Sequence, residues 1–209
     1  NFPNEGGVAN PIRLLKNIIG LWPLQECRRY WREHGQQYSY AELEALACEC
    51  GPVQAWLNLD DARFFKPGNM PEKIVSFLHE TQQPAQADAG WITRCILESL
   101  AFKYRATLQE LEAMTAQKIA RLHLVGGGAY NQLLCQLTAD AIGREVIAGP
   151  VEGTIAGNIG VQALATGALA DLPALRQMVR DSFELKRYEP EGKGYWEENE
   201  ARFRGLSER

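Results

Sequence analysis

The stretch from Leu122 to Gly167 constrains this chain more than any other. Arg121 to Val125 alternates as a strand, and Gly126-Gly127-Gly128 breaks it. Asn131 to Ala141 carries a helical pattern that Gly143 closes. Glu145 to Ala148 reads as a second strand, ended by Gly149-Pro150, and a helix of small residues spans 154–167. Strands alternating with helices predict the α/β class. A glycine run at a strand-to-helix turn permits positive φ and lets a flat or anionic ligand approach bare backbone. The amides at the start of the next helix would then face that ligand. A tight turn that needs small residues for packing explains the same glycines equally well.

Two familiar phosphate motifs do not fit. The run Gly-Gly-Gly-Ala-Tyr-Asn has no glycine at its sixth position. The following strand ends Val-Ile-Ala-Gly-Pro, without the acidic residue that would hold a ribose in a dinucleotide fold. No Gly-Lys-Ser/Thr sequence is present, which removes the P-loop reading. The helix with Thr154, Ala156, Gly157, Gly160, Ala163 and Ala165 admits either dense packing or a wall that leaves space for a nucleotide.

The first half is more helical. Residues 1–11 are polar, contain Gly and Pro, and predict a loop. Leu14, Leu15, Ile18, Ile19, Leu21 and Trp22 recur at near-helical spacing, which predicts a helix over 12–33 with a bend at Pro23. On that helix Asn17 and Gln25 would lie about two turns apart on one face. Both could project into a cleft, or each could cap a neighbouring backbone group. Ser39 and Glu42 form a capping box that opens a helix to about Ala47. A short strand at 55–59, a loop over 60–69 and a helix over 71–81 follow. Ile92, Ile96, Leu97, Leu100, Tyr104, Leu108 and Leu111 define the longest helix, 89–116. The whole reads as one domain: a lead-in loop at 1–11, a core at 12–170, and a charged tail at 171–209 with helices near 172–182 and 191–206.

The bulk properties exclude some classes. A net charge of −4 gives no footprint for nucleic acid. No apolar run is long enough to span a bilayer, so no membrane partner is expected. The cysteines Cys27, Cys48, Cys50, Cys95 and Cys135 lack framework spacing and read as reduced, helix-packing thiols of a cytoplasmic protein. Cys48-x-Cys50 has no companion set, and no metal site is expected. His34, His79 and His123 are dispersed, with His123 read as a packed or edge residue of its strand. Asp60 and Asp61 read as a solvated or capping loop. No general base is evident. The chain opens Asn1-Phe-Pro-Asn without Met and reads as the middle of something longer.

Four stretches carry a family resemblance. They are Asn4-Glu5-Gly6-Gly7, Leu15 to Trp22, Val125 to Gly128 with Asn131, and Ala148-Gly149-Pro150-Val151-Glu152 with Gly157-Asn158-Ile159-Gly160. Together these resemble the FGGY carbohydrate kinases over residues 1 to about 165. The resemblance implies an actin-like ATPase fold (RNase H-like), of which this chain is the C-terminal, nucleotide-binding domain truncated at its N-terminus. It implies that Asn17 contacts the sugar, Gln25 contacts the nucleotide, and Gly127 lines the adenosine site. Gly126, Gly128 and Asn131 adjoin that site. It implies ATP or ADP with Mg2+, and transfer of phosphate to a ketose, with L-rhamnulose phosphorylated at its 1-hydroxyl. It further implies that the catalytic Asp and the phosphate-gripping hairpins lie upstream of Asn1, in a missing N-terminal domain, so the isolated chain should be inactive. Some relatives pair cysteines in this half, but this chain lacks the partners, and no disulfide is expected. Fuculose or xylulose as acceptor, a non-enzymatic nucleotide-binding domain, and an NAD-binding module remain alternatives.

Overall fold

The structure, a computed structural model, describes residues 2–8 and 10–206. Strands β1 (Asn4–Gly6) and β2 (Ile12–Leu14) pair antiparallel. The N–H of Gly7 donates to the Pro11 carbonyl at 2.8 Å, closing this hairpin where the sequence suggested loop and then helix. The helix expected from residue 12 starts only at α1 (Trp22–Glu33). Gly20, at φ 63°, turns the chain just before it. Pro23 sits in the first turn, where its missing N–H costs no hydrogen bond, so it starts the helix instead of bending it. The near-helical spacing upstream belongs to an irregular segment that lays Ile18, Ile19 and Leu21 against the core.

Three further helices complete a helical body. α2 (Tyr40–Cys50) opens with the expected capping box: Ser39 Oγ accepts from the Glu42 N–H, and the Ser39 N–H donates to Glu42 Oε2 at 2.7 Å. Asn69 caps α3 (Met70–Glu80) and Asp88 caps α4 (Ala89–Thr115). α2 crosses α4 closely, because Gly90 faces Leu46: a Cβ there would lie 2.9 Å from the Leu46 backbone. This approach fixes which side chains of α2 look toward the sheet.

Residues 55–59, expected as a strand, are extended and largely buried but join no ladder. Side chains hold their backbone instead. The Trp56 N–H donates to Gln83 Oε1 and the Leu57 N–H to Ser99 Oγ, both at 2.9 Å. Buried backbone must find partners, and here α4 and the α3–α4 connection supply them.

The second layer is a three-stranded sheet. β3 (Arg121–Leu124) runs parallel to β4 (Glu145–Ala148) through a 3-10 turn at Gly127–Tyr130 and α5 (Gln132–Ile142). α6 (Gly153–Ala165) and α7 (Leu172–Ser182) follow. β5 (Lys186–Tyr188), absent from the sequence reading, pairs antiparallel with β4. Its Lys-Arg-Tyr content hides it. α8 (Gly194–Gly205) then returns to the helical body. Residues 171–209 therefore carry more than charged helix: Trp196 and Phe203 enter the main core against Phe102.

The small residues of α6 have one clear packing reason. A Cβ at Gly160 would lie 1.9 Å from Leu175 Cδ1, so α7 can approach only over a bare backbone. Cys27, Cys95 and Cys135 are buried, but Cys48 and Cys50 are exposed at the end of α2, against the packing role expected of them. Among the described residues no helix is long and apolar enough to cross a membrane.

Candidate functional site

A cleft of about 670 Å3 lies at the seam between the helical body and the sheet layer. Gly20, Leu21, Leu24 and Gln25 line it from the start of α1, and Tyr40, Ala41 and Glu44 from α2. Tyr104 contributes from α4. Leu124, Val125, Gly127, Gly128, Tyr130, Asn131 and Leu134 close it from the β3–α5 turn. Four residues singled out in the sequence thus surround one space, Gln25, Gly127, Gly128 and Asn131, and Gly126 adjoins them at the turn without lining it.

The three glycines do different things. Gly126 sits at φ 78°, a conformation that side-chain-bearing residues avoid, and its N–H donates to the Pro150 carbonyl. A Cβ on Gly128 would touch Leu124 at 3.4 Å. Gly127 has neither constraint. A Cβ there would meet no atom within 4 Å, although Gly127 lines the cleft. Nothing in the protein itself requires that glycine, and a side chain there would occupy space that a ligand can use.

Of the first four amides of α5, expected to face the ligand, those of Leu133, Leu134 and Cys135 are already taken. Glu44 Oε1 accepts the Leu133 N–H at 2.7 Å, and Asn131 Oδ1 accepts the Leu134 N–H at 2.7 Å. The Cys135 N–H donates to the Asn131 carbonyl. Asn131 is the N-cap of α5 as well as a lining residue, which leaves its Nδ2 amide for other contacts. No Lys, Arg or His is among the lining residues. Burial pushes the Tyr104 phenol up to about 12, so it stays a neutral hydroxyl at pH 7. A cleft with bare backbone, apolar walls, neutral polar groups and one carboxylate suits a flat, uncharged group. It offers no cation to a polyphosphate, whose charge calls for one.

Asn17 is elsewhere. It is exposed on the segment before α1 and lines a second cleft of about 360 Å3 with Ile18, Ile19, Trp22, Asp60 and Phe65. Asn17 and Gln25 do not share a helix face, because no helix joins them. Asp60 pairs with Lys103 at 2.5 Å, and Asp61 caps the 3-10 turn at Ala62–Phe64 by accepting the Arg63 N–H. His123 is exposed on β3, an edge strand of the sheet. Among the described residues no three or more His, Cys, Asp or Glu side chains converge as a metal site.

Glu44, Tyr40 and Tyr104 were not foreseen. Their positions in α2 and α4 carry no motif, and only the crossing of those helices brings them to the cleft. Gly20 could have been found, since a glycine just ahead of an Xaa-Pro helix start marks a turn.

Residues 1–166 match the C-terminal domain of the FGGY family of carbohydrate kinases, and the chain belongs to that family. Its more specific likeness is to rhamnulokinases. It is 44% identical over 197 residues to the rhamnulokinase of Bacteroides thetaiotaomicron, covering 94% of this chain and 40% of that relative. It is 44% identical over 191 residues to that of Enterococcus faecalis, covering 90% of this chain and 38% of the relative. The chain therefore spans about two fifths of the length of these curated relatives. Among solved structures, the xylulose kinase from Rhodospirillum rubrum aligns with a TM-score of 0.58 at 19% identity, over 89% of this chain and 36% of that one. That likeness shows the fold: the α/β, actin-like ATPase architecture of sugar kinases, here its C-terminal domain.

Proposed function

We propose that this chain is the nucleotide-facing domain of an ATP-dependent ketose kinase, with L-rhamnulose as acceptor and its 1-hydroxyl as the site of phosphorylation. The observation that carries this is the cleft at the seam: Gln25, Gly127, Gly128 and Asn131 surround one space, with open room above the Gly127 backbone. In this reading Gly127 admits the adenosine, Gly126 and Gly128 shape its turn, and Gln25 and Asn131 hydrogen-bond the nucleotide. Asn17, one short segment upstream of Gln25, reaches the sugar from the second cleft. The likeness to rhamnulokinases supports the acceptor.

The lining residues offer no cation for phosphates, which fits a shared site. Phosphate and Mg2+ would be gripped, and the 1-hydroxyl deprotonated by an Asp, in the part of a full-length protein that this chain does not include. Phosphoryl transfer depends chiefly on positioning and charge neutralisation, so both parts are needed. Closure of one on the other would exclude water from the reacting phosphate. The chain alone is expected to turn over weakly or not at all, and the whole protein to work in the cytoplasm.

The test is a coupled ATPase assay of the full-length protein with L-rhamnulose, L-fuculose and D-xylulose. L-rhamnulose is expected to give the highest kcat/KM. Preference for another of the three would reassign the acceptor. Asn17→Ala is expected to lower kcat/KM by about tenfold or more, the effect of losing one hydrogen bond to a bound polar group. An unchanged rate would remove Asn17 from the sugar site. Calorimetry with ADP against NAD separates the kinase reading from a dinucleotide one.

A further inference from the structure

We infer that Glu44 is a selectivity residue of this cleft, orienting the nucleoside by accepting a hydrogen bond from its base amino group or a ribose hydroxyl. The inference rests on the nucleotide reading above and deepens it. Glu44 reaches from α2 across the seam to the first turn of α5, where Oε1 accepts the Leu133 N–H at 2.7 Å. A carboxylate at a helix N-terminus is stabilised by the helix dipole, so this oxygen is held in place. Its other oxygen has no hydrogen-bond or ion-pair partner among the described residues, yet Glu44 lines the same cleft as the Gly127 turn.

The chemistry narrows what can lie beside it. A carboxylate only accepts hydrogen bonds, and no cation lines the cleft to offset its charge. A phosphate placed there would meet like charge, and the Leu133 and Leu134 amides beside it are bonded to Glu44 and Asn131. The neighbouring ligand group must therefore be neutral and a donor. On an adenine nucleotide only the base amino group and the ribose hydroxyls qualify. Glu44 thus directs the nucleoside end toward α2 and α5, and the phosphates the other way.

Glu44→Gln tests this without removing the tether. Its amide oxygen still accepts the Leu133 N–H, while its NH2 group presents a donor where the free oxygen was. Binding of ADP, purine riboside 5′-diphosphate and 2′,3′-dideoxy-ADP to the full-length protein and to Glu44→Gln would be measured by calorimetry, with melting temperature alongside. The unmodified protein is expected to prefer ADP by about tenfold over the analogue that lacks the matched donor, as sites built around a hydrogen bond reject ligands without it. Glu44→Gln is expected to lose that preference at an unchanged melting temperature. Loss toward the purine riboside assigns the amino group, and loss toward the dideoxy sugar assigns a hydroxyl. Preferences equal to those of the unmodified protein overturn the inference and leave nucleotide binding intact. A uniform loss of affinity with a lowered melting temperature also overturns it, by making Glu44 structural. No ADP binding by the unmodified protein overturns this inference and the nucleotide reading together.

Discussion

In the helical body, Phe102 is 1% exposed, with ring centroids of Trp196, Phe203 and Trp56 at 4.7, 4.9 and 5.3 Å. In the sheet layer, Val125 just past β3 is 55% exposed, and Ile155 and Ile159 on α6 are 57% and 59% exposed. The helical body encloses its own core and fixes it further with a buried polar knot. Glu98 accepts from Arg94 Nε at 2.7 Å, from Trp56 Nε1 and from the Tyr195 hydroxyl, which ties α8 to α4. The sheet layer has a small core of its own around Ala129, Cys135 and Ala148. It is joined to the body through α5 and a few polar ties. Arg144 forks onto Glu112, and Arg105 donates to the Ala141 carbonyl. Stability thus resides mainly on one side of the seam, and the cleft draws its walls from both.

The largest effect should come from Phe102→Ala. Truncating a buried aromatic costs about 3–5 kcal/mol, and urea unfolding is expected to show a loss of that size. A loss below about 1 kcal/mol would break the comparison, because surface-like costs mark a residue outside a core. Next comes Gly127→Val, which tests the seam. It should weaken ADP binding by about tenfold or more, roughly 1.4 kcal/mol, with the urea midpoint unmoved, since a Cβ at that position meets no protein atom within 4 Å and stands at the cleft. A shifted midpoint with intact affinity would make that glycine structural.

The polar tie offers a pH test. The hydrogen bonds from Arg144, then from the Ile119 N–H, hold the Glu112 carboxyl down to about 2 from an ordinary 4.5. A carboxyl with a depressed folded value stabilises the fold fully above the ordinary value. That contribution fades as pH falls from 4.5 through about 2. The urea midpoints of the unmodified protein and Glu112→Gln should therefore differ most above pH 4.5 and converge toward pH 2. A gap that stays constant with pH would mean that the tie does not depend on charge. The smallest effect belongs to Ile155→Ser on α6, expected within about 0.5 kcal/mol in this chain, as for most exposed sites. A larger loss would show that the sheet layer is better packed than its exposure indicates.

Much of the fold was legible, for local reasons. Ser39 with Glu42 was read as a capping box and starts α2, because a short polar side chain captures free amides within three residues of itself; Asn69, Asp88 and Asn131 cap their helices in the same way but were not read as caps. The β3–turn–α5–β4 unit was legible because glycines and alternation are local signals too. The errors fell where spacing imitated a period. Residues 12–21 mimic a helix but form a hairpin strand and an irregular segment, because Gly20 and the Pro11 hairpin outweigh the apolar repeat. β5 was missed because Lys-Arg-Tyr shows no apolar alternation, and its ladder to β4 and the Arg187–Glu145 pair across it are long-range.

For the cleft, the sequence by itself determined the turn: three glycines after a strand, with Asn131 three residues on, can be read without a structure. It also indicated the family, and with it the expected roles of Asn17, Gln25 and Gly127. Only the tertiary structure decided that Asn17 and Gln25 line separate spaces, that the Leu133 and Leu134 amides of α5 are occupied, and that Glu44 is what occupies one of them. The physical reason is range. Caps, turns and periods act over a few residues, whereas the Glu44–Leu133 bond joins positions 89 residues apart and exists only because α2 crosses α4 at Gly90.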